Sequence, residues 1–456
     1  MAQVIFMVAL ALWSHQLIAA GEEDTAFNHP PRVPIILVHG FGGWEPEVFP
    51  RFLYWGKFHG DLRQKLEDEG HEVYTASIGP FSSNWDRACE LYAVVKGGRV
   101  DYGHGHAEKY KHKQLGRHYK GLYERWGGRT GGRVNKVHII AHSMGGPTVR
   151  MLSHLLSFGV KDSGDAMDAM VDESHPFYHG GRDWIESITF LESPLYGTVF
   201  ANLLIYVKGI LVPTMRAGLY LNGLFRSSKP YDPKLDQWNV DSLATYKKFV
   251  SRWIWKGESH KDTALYSLTT YGAAEENKWI KESDKVFYFI YSTGHQQISR
   301  GFFRDLITHF KYERVIQHFL VAKSMIRKWL NEKDSIMNKD WGVSNDGVVE
   351  TSSMIHKGQC IDLKKTGTTE LIRGSWYSPA HFPYAYHSYA TGRCPEVDCT
   401  DFVIAHASLL RYIAKNTTAS PALNRMKEEV EVFDNLRRAI EEYHEATVTF
   451  ARKFLE

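Results

Sequence analysis

The stretch that most constrains this chain is residues 137–146, VHIIAHSMGG, a β-branched and apolar run that breaks into a turn with a serine at its tip. A strand that delivers a hydroxyl into so tight a turn must keep its flanking side chains small. Ala141 adds one methyl where a glycine is more usual, and Gly145 leaves the other side clear. Pro147 then falls in the first helical turn, where its missing N–H costs little. Such an elbow exposes the serine hydroxyl above a sheet, while the next helix offers backbone N–H groups. Ser143 is therefore the candidate nucleophile.

Similar runs recur at 33–38, 73–78, 185–191 and 286–291, each followed by a turn signal. They read as buried parallel strands. Helical patterns at 61–69 and 148–157 alternate with them, which predicts an α/β chain with a doubly wound, mostly parallel sheet. In such a sheet the active crevice lies beyond the strands' carboxyl ends. With 43% hydrophobic and 23% charged residues, a chain of 456 can bury one large core, and it resembles neither a disordered nor a fibrous sequence. A net charge of +3 is too near balance to argue for nucleic acid as a partner. The basic residues between Arg99 and Lys136 read as a solvated loop, with an anion or membrane-surface patch as the alternative.

A second glycine-rich turn, His39-Gly40-Phe41-Gly42-Gly43, closes the first strand. It can aim the Phe41 N–H beside that of Met144, forming an oxyanion hole. The two turns in this order predict the α/β-hydrolase fold, in which an acid and then a histidine follow the nucleophile. Asp346, in the turn Asn345-Asp346-Gly347, is the candidate acid. The segment 380–387 offers two histidines, His381 and His387.

Residues 4–13 are apolar and Leu17-Ile18-Ala19-Ala20 suits a peptidase cut, so 1–20 is expected to be a signal peptide on a secreted protein, too short for a transmembrane anchor. The expected plan is a hydrolase domain over 21–418 and an amphipathic helical extension over 419–456. Within the domain, 199–225 is strongly apolar but broken by Lys208, Pro213 and Arg216. It is expected to be a mobile cover, part of a lid region over about 198–240. Among four cysteines, Cys394 and Cys399 could close a local loop, and Cys89 could be a buried thiol. Asn416-Thr417-Thr418 is a glycosylation sequon.

Several strings together resemble the zinc-containing secreted lipases of thermophilic bacilli and the staphylococcal lipases: PIILVHGF (34–41), YWG (54–56), GPFSSNWDRACE (79–90), VDYG (100–103), AHSMGG (141–146) and KLDQW (234–238). The likeness covers most of residues 33–412. It implies a triad of Ser143, Asp346 and His387, the last chosen by its interval from Asp346. It also implies a zinc ion on Asp86, His106, His112 and Asp262. Four protein ligands would leave no open position, which makes that ion structural. The family's calcium ligands fall on Tyr389 and roughly Cys394, poor oxygen donors, so the case for calcium does not carry over. The implied activity is triacylglycerol hydrolysis through an acyl-enzyme at a lipid–water interface. Alternatives are a phospholipase or acyltransferase using the same triad, and a non-catalytic lipid-binding protein on a hydrolase scaffold.

Overall fold

The computed structural model describes residues 33–44, 53–206, 232–240, 258–296, 344–356, 360–362, 371–392 and 398–415, short gaps apart, with single positions 245, 435 and 438. These residues fall in the unit that begins at Val33. The expected signal peptide, the cover beyond 206, Cys394 and the extension (its single positions apart) lie outside them.

The strands are β1 (Ile35–Val38), β2 (Val73–Ala76), β3 (Gly98–Asp101), β4 (Leu115–Tyr119), β5 (Arg129–Thr130), β6 (Arg133–Val134), β7 (Val137–His142), β8 (Ile185–Leu191), β9 (Phe287–Gln296), β10 (Ser344–Asn345), β11 (Cys360–Asp362) and β12 (Trp376–Pro383). The α-helices are α1 (Leu62–Asp68), α2 (Asn84–Lys96), α3 (His104–Tyr110), α4 (Gly145–Ser157), α5 (Val199–Tyr206), α6 (Ala264–Ser267), α7 (Thr270–Glu276), α8 (Thr351–Met354) and α9 (Asp401–Lys415). The central sheet runs β11-β12-β9-β8-β7-β1-β2, every neighbouring pair parallel, and β10 adds antiparallel to β9. The pairs β3-β4 and β5-β6 stand apart as antiparallel ribbons.

β1, β7 and β8 are buried at every position, because helices cover both faces of a parallel sheet and leave no wet side. Alternate residues enter opposite layers. Ile36, Val38, Ile139, Ile188 and Phe190 pack with Leu91 and Val95 of α2 and Val149 and Leu152 of α4. Ile35, Leu37, Ile140, Phe289 and Phe382 pack with Leu62 and Leu66 of α1 and Phe402 and Leu410 of α9.

The expected strands and both expected helices are present, with Asp61 accepting from Arg63 N at 2.9 Å as the cap of α1. Periodicity does not reveal α2, since eleven of its thirteen residues are buried, among them Asn84, Asp86, Arg87 and Glu90. Cys89 is a buried thiol on this helix, pushed up in pKa by burial. From β1 the chain steps to β2 on one side and later to β7 on the other. The crevice therefore opens between the carboxyl ends of β1 and β7. Among the described residues no helix is long and apolar enough to cross a membrane.

Candidate active site

Ser143 follows the last residue of β7 in a left-handed backbone conformation, φ 54°, which a side chain makes costly. Its N–H donates to Leu191 O at 2.9 Å and its carbonyl accepts from Gly146 N at 2.9 Å, so the strain is held from both sides. The small neighbours have local reasons. A β-carbon on Gly145 would lie 2.6 Å from Val38 O, and one on Gly40 would lie 2.7 Å from Ser143 Cβ. Ala141 fits its methyl into the core beside α4.

The candidate acid and base reach Ser143 from beyond β10 and β12. His387 Nε2 lies 2.7 Å from Ser143 Oγ, and His387 Nδ1 lies 2.7 Å from Asp346 Oδ2. Asp346 is buried, and its carboxylate also accepts from Val348 N (2.9 Å), Val349 N (2.8 Å) and Thr293 Oγ1 (3.2 Å). That shell fixes the carboxylate where it meets the imidazole. His381 goes elsewhere: it stands on β12 with Nδ1 2.9 Å from Ser292 Oγ.

Among the described residues, neither Phe41 N nor Met144 N donates to a backbone carbonyl. The turn before them is braced by Arg87, whose side chain is wholly buried. Its Nη2 donates to His39 O at 2.6 Å, Nη1 to Gly79 O at 2.7 Å and Nε to Thr148 Oγ1 at 2.9 Å. Met144 joins Ala201, Leu235, Ala264, Leu265 and Leu268 in a third apolar cluster, so α5, the described start of the apolar stretch, abuts the elbow. Phe41 is 37% exposed and meets Phe81 edge-on at 5.3 Å.

The four expected metal ligands come together. His106 Nε2 lies 3.1 Å from Asp86 Oδ1 and 3.1 Å from Asp262 Oδ1, and the side chains of all four residues are shut from solvent. His112 Nε2 stands 3.2 Å from Asp262 Oδ2, yet neither atom has a hydrogen-bond partner among the described residues. All four ligand atoms lie within 4.8 Å of one another. Tetrahedral zinc with bonds of roughly 2.0–2.1 Å would separate its ligand atoms by about 3.3 Å, so the set fits the ion. Burial opposes charge on both imidazoles, but Asp86 and Asp262 outweigh it and raise them, His112 to about 9. Asp262, despite burial, is held well below the usual carboxylate range by His106 and His112. Two buried carboxylates thus draw compensating positive charge, which a dication would also supply. Gln237 Nε2 donates to Asp86 Oδ2 at 3.0 Å and Ser83 Oγ to Asp262 Oδ1 at 2.6 Å, orienting the carboxylates.

Sequence reasoning does not single out Tyr54, Arg87, Glu192 or Gln237 as site residues. Three of them sit in strings quoted for the resemblance. Glu192 carries one usable signal, its place just past the carboxyl end of β8, where crevice residues lie in a parallel sheet.

The family model described as "Lipase-like, C-terminal domain" matches residues 31–387. A lipase of Staphylococcus epidermidis is 35% identical over 336 residues, 71% of this chain and 45% of that protein. The chain thus spans about half the length of the curated relatives it matches. Among solved structures, lipase 1 from Pelosinus fermentans is 32% identical at a TM-score of 0.64, covering 83% of this chain and 98% of that one. Staphylococcus hyicus lipase is 28% identical at a TM-score of 0.63, covering 86% of this chain and 99% of that one.

Proposed function

The chain belongs to the lipase-like C-terminal domain family, and we propose that it is a secreted serine ester hydrolase that cleaves triacylglycerol at a lipid–water interface. The observation that carries this reading is the unbroken hydrogen-bonded line from Asp346 through His387 to the Ser143 hydroxyl. His387 Nε2 takes the hydroxyl proton as Ser143 Oγ attacks the ester carbonyl, and Asp346 holds the imidazole and stabilises the imidazolium. The Phe41 and Met144 amides receive the developing oxyanion. Collapse expels the glyceride alcohol, which leaves with the proton from His387, and a water activated by the same nitrogen releases the acyl group from Ser143.

The apolar stretch from Val199 onward serves as a lid. Its first helix shares an apolar cluster with Met144, which supports coupling between cover and elbow. Asp86, His106, His112 and Asp262 would hold a zinc ion whose charge clamps the loop around α3 to the segment ahead of α6. We assign 1–20 as the secretion signal, 21–418 as the hydrolase domain and 419–456 as a helical extension.

Fatty-acid release from emulsified triacylglycerol and from phospholipid vesicles tests the reading. Faster release from the emulsion, abolished in Ser143→Ala, is expected. Faster release from vesicles would reassign the substrate, and no release from any ester would sink the proposal.

A further inference from the structure

Beneath the elbow, a second set of buried polar groups joins the oxyanion turn to the loop that carries His387. We propose that Tyr54, His142 and Glu192 act as a positioning relay that sets His387 against Ser143. The proposal rests on the reading of Ser143 and His387 as nucleophile and base.

The hydrogen bonds converge on Glu192, which accepts from both ends of the line. His142 Nε2 faces two acceptors, Glu192 Oε2 at 3.0 Å and His387 O at 2.8 Å, so it must carry a proton. With Nε2 protonated in the neutral ring, Nδ1 accepts from the Tyr54 hydroxyl at 2.6 Å. The Tyr54 oxygen in turn accepts from Gly40 N at 2.8 Å. At the other end, Glu192 Oε1 accepts from Ala390 N at 3.1 Å. A single line therefore passes from the backbone of the oxyanion turn, under Ser143, to the backbone on either side of Ser388 and Tyr389.

Its effect on His387 follows from where it grips. The His387 N–H donates to Asp346 O at 3.1 Å while its carbonyl is held by His142. The backbone is thus pinned on both sides of the α-carbon, and the ring then meets Asp346 and Ser143. Tyr54, His142 and Glu192 are all buried, so a lost partner strands a polar group away from water. Glu192 also keeps a left-handed backbone, φ 52°, held by donation from its N–H to Tyr291 O at 3.0 Å. Strain of this kind persists where the surroundings over-determine it, often at functional sites.

Two conservative variants break the line differently. Tyr54→Phe removes one oxygen and with it the acceptor for Gly40 and the donor to His142. Glu192→Gln keeps the shape, but an amide offers one oxygen to two donors, so either Ala390 N–H or His142 Nε2–H faces an NH₂ group. On a soluble short-chain nitrophenyl ester each variant is expected to lower kcat about 10- to 100-fold with KM within about twofold, as misplacement of the base would. The double variant is expected to be no slower than about threefold below the worse single, because one line is broken only once. In protein labelled with ¹⁵N-histidine, the downfield imidazole proton of the His387–Asp346 bond is expected to shift or broaden in both singles.

An imidazole proton that stays put, or losses that multiply in the double variant, overturns the relay. If the unaltered protein hydrolyses no ester while that proton moves in the variants, the proposed chemistry fails and the relay stands. Thermal midpoints check folding throughout. Should Glu192→Gln not fold, Tyr54→Phe carries the test.

Discussion

Arg87 Nη2 lies 2.6 Å from the carbonyl oxygen of His39, so a fully buried guanidinium holds the turn that leads into Gly40 and Phe41. The same fork reaches Gly79 and Thr148, which ties α2, β2's outgoing loop and α4 to one charge. Lysine brings the charge without the fork. Arg87→Lys is expected to lower unfolding free energy by about 2–4 kcal/mol, since hydrogen bonds to charged groups contribute roughly 1.5–3 kcal/mol each and lysine can recover only some of them. Urea unfolding measures this; an unchanged midpoint would show that the fork is dispensable.

What the sequence makes legible here is local. The Ser143 elbow is visible because strand, small flanks and helix follow one another within a few residues, and β1, β2, β7, β8 and β9 because each begins as a short apolar run. β11, three residues long, and β12, interrupted by Ser378, Pro379 and His381, give no such run and are missed. His387 against His381 is not decided by their own residues, which share one eight-residue stretch. The resemblance chooses, and the structure places His381 on β12 and His387 past its end. Glu192 is only half legible for a physical reason: its place after β8 marks a crevice position, but its partners His142 and Ala390 lie 50 and 198 residues away, so nothing local shows what it holds.

Acid should destabilise the fold through its buried histidines. Burial pushes His39, His138 and His406 down to about 3 and His154 to about 4, whereas each would take up a proton near 6.5 when unfolded. Below about pH 6.5 the unfolded chain therefore binds the extra protons and stability falls. Glu90 and Glu276 oppose this, because burial raises both to about 7 and the folded form holds protons the unfolded chain gives up above about 4.5. Four histidines against two carboxylates leave these groups a net acid-destabilising slope of about two protons near pH 5.5. His406→Gln is expected to flatten the slope by about one proton and Glu276→Gln to steepen it by about one. Urea midpoints between pH 5 and 7 read both; slopes that do not move would count against these assignments.

The Asp86, His106, His112 and Asp262 set is expected to bind about one zinc per chain, and chelation is expected to lower the thermal midpoint by at least about 5 °C, because binding confined to the fold adds its free energy to stability. Asp262→Asn should reduce metal content and reproduce the shift without chelator. Metal analysis and calorimetry test both. A metal-free protein whose midpoint ignores chelator would leave the cluster as a buried ion-pair network.

The two histidines of 380–387 give the sharpest test of the site. His387 Nε2 is 2.7 Å from Ser143 Oγ, while His381 Nδ1 is engaged with Ser292 Oγ. His387→Ala is expected to reduce kcat on a soluble ester by at least about 10⁴-fold, and His381→Ala by less than about threefold. Asp346→Asn should also lose roughly 10⁴-fold, because an amide facing Nδ1 favours the wrong tautomer and no longer stabilises the imidazolium. Its fold should suffer less than its rate, since Val348 and Val349 N–H groups can still donate to the remaining oxygen. Parallel measurement of kcat and thermal midpoint separates these effects. Large loss in His381→Ala with activity kept in His387→Ala would transfer the role of base to β12.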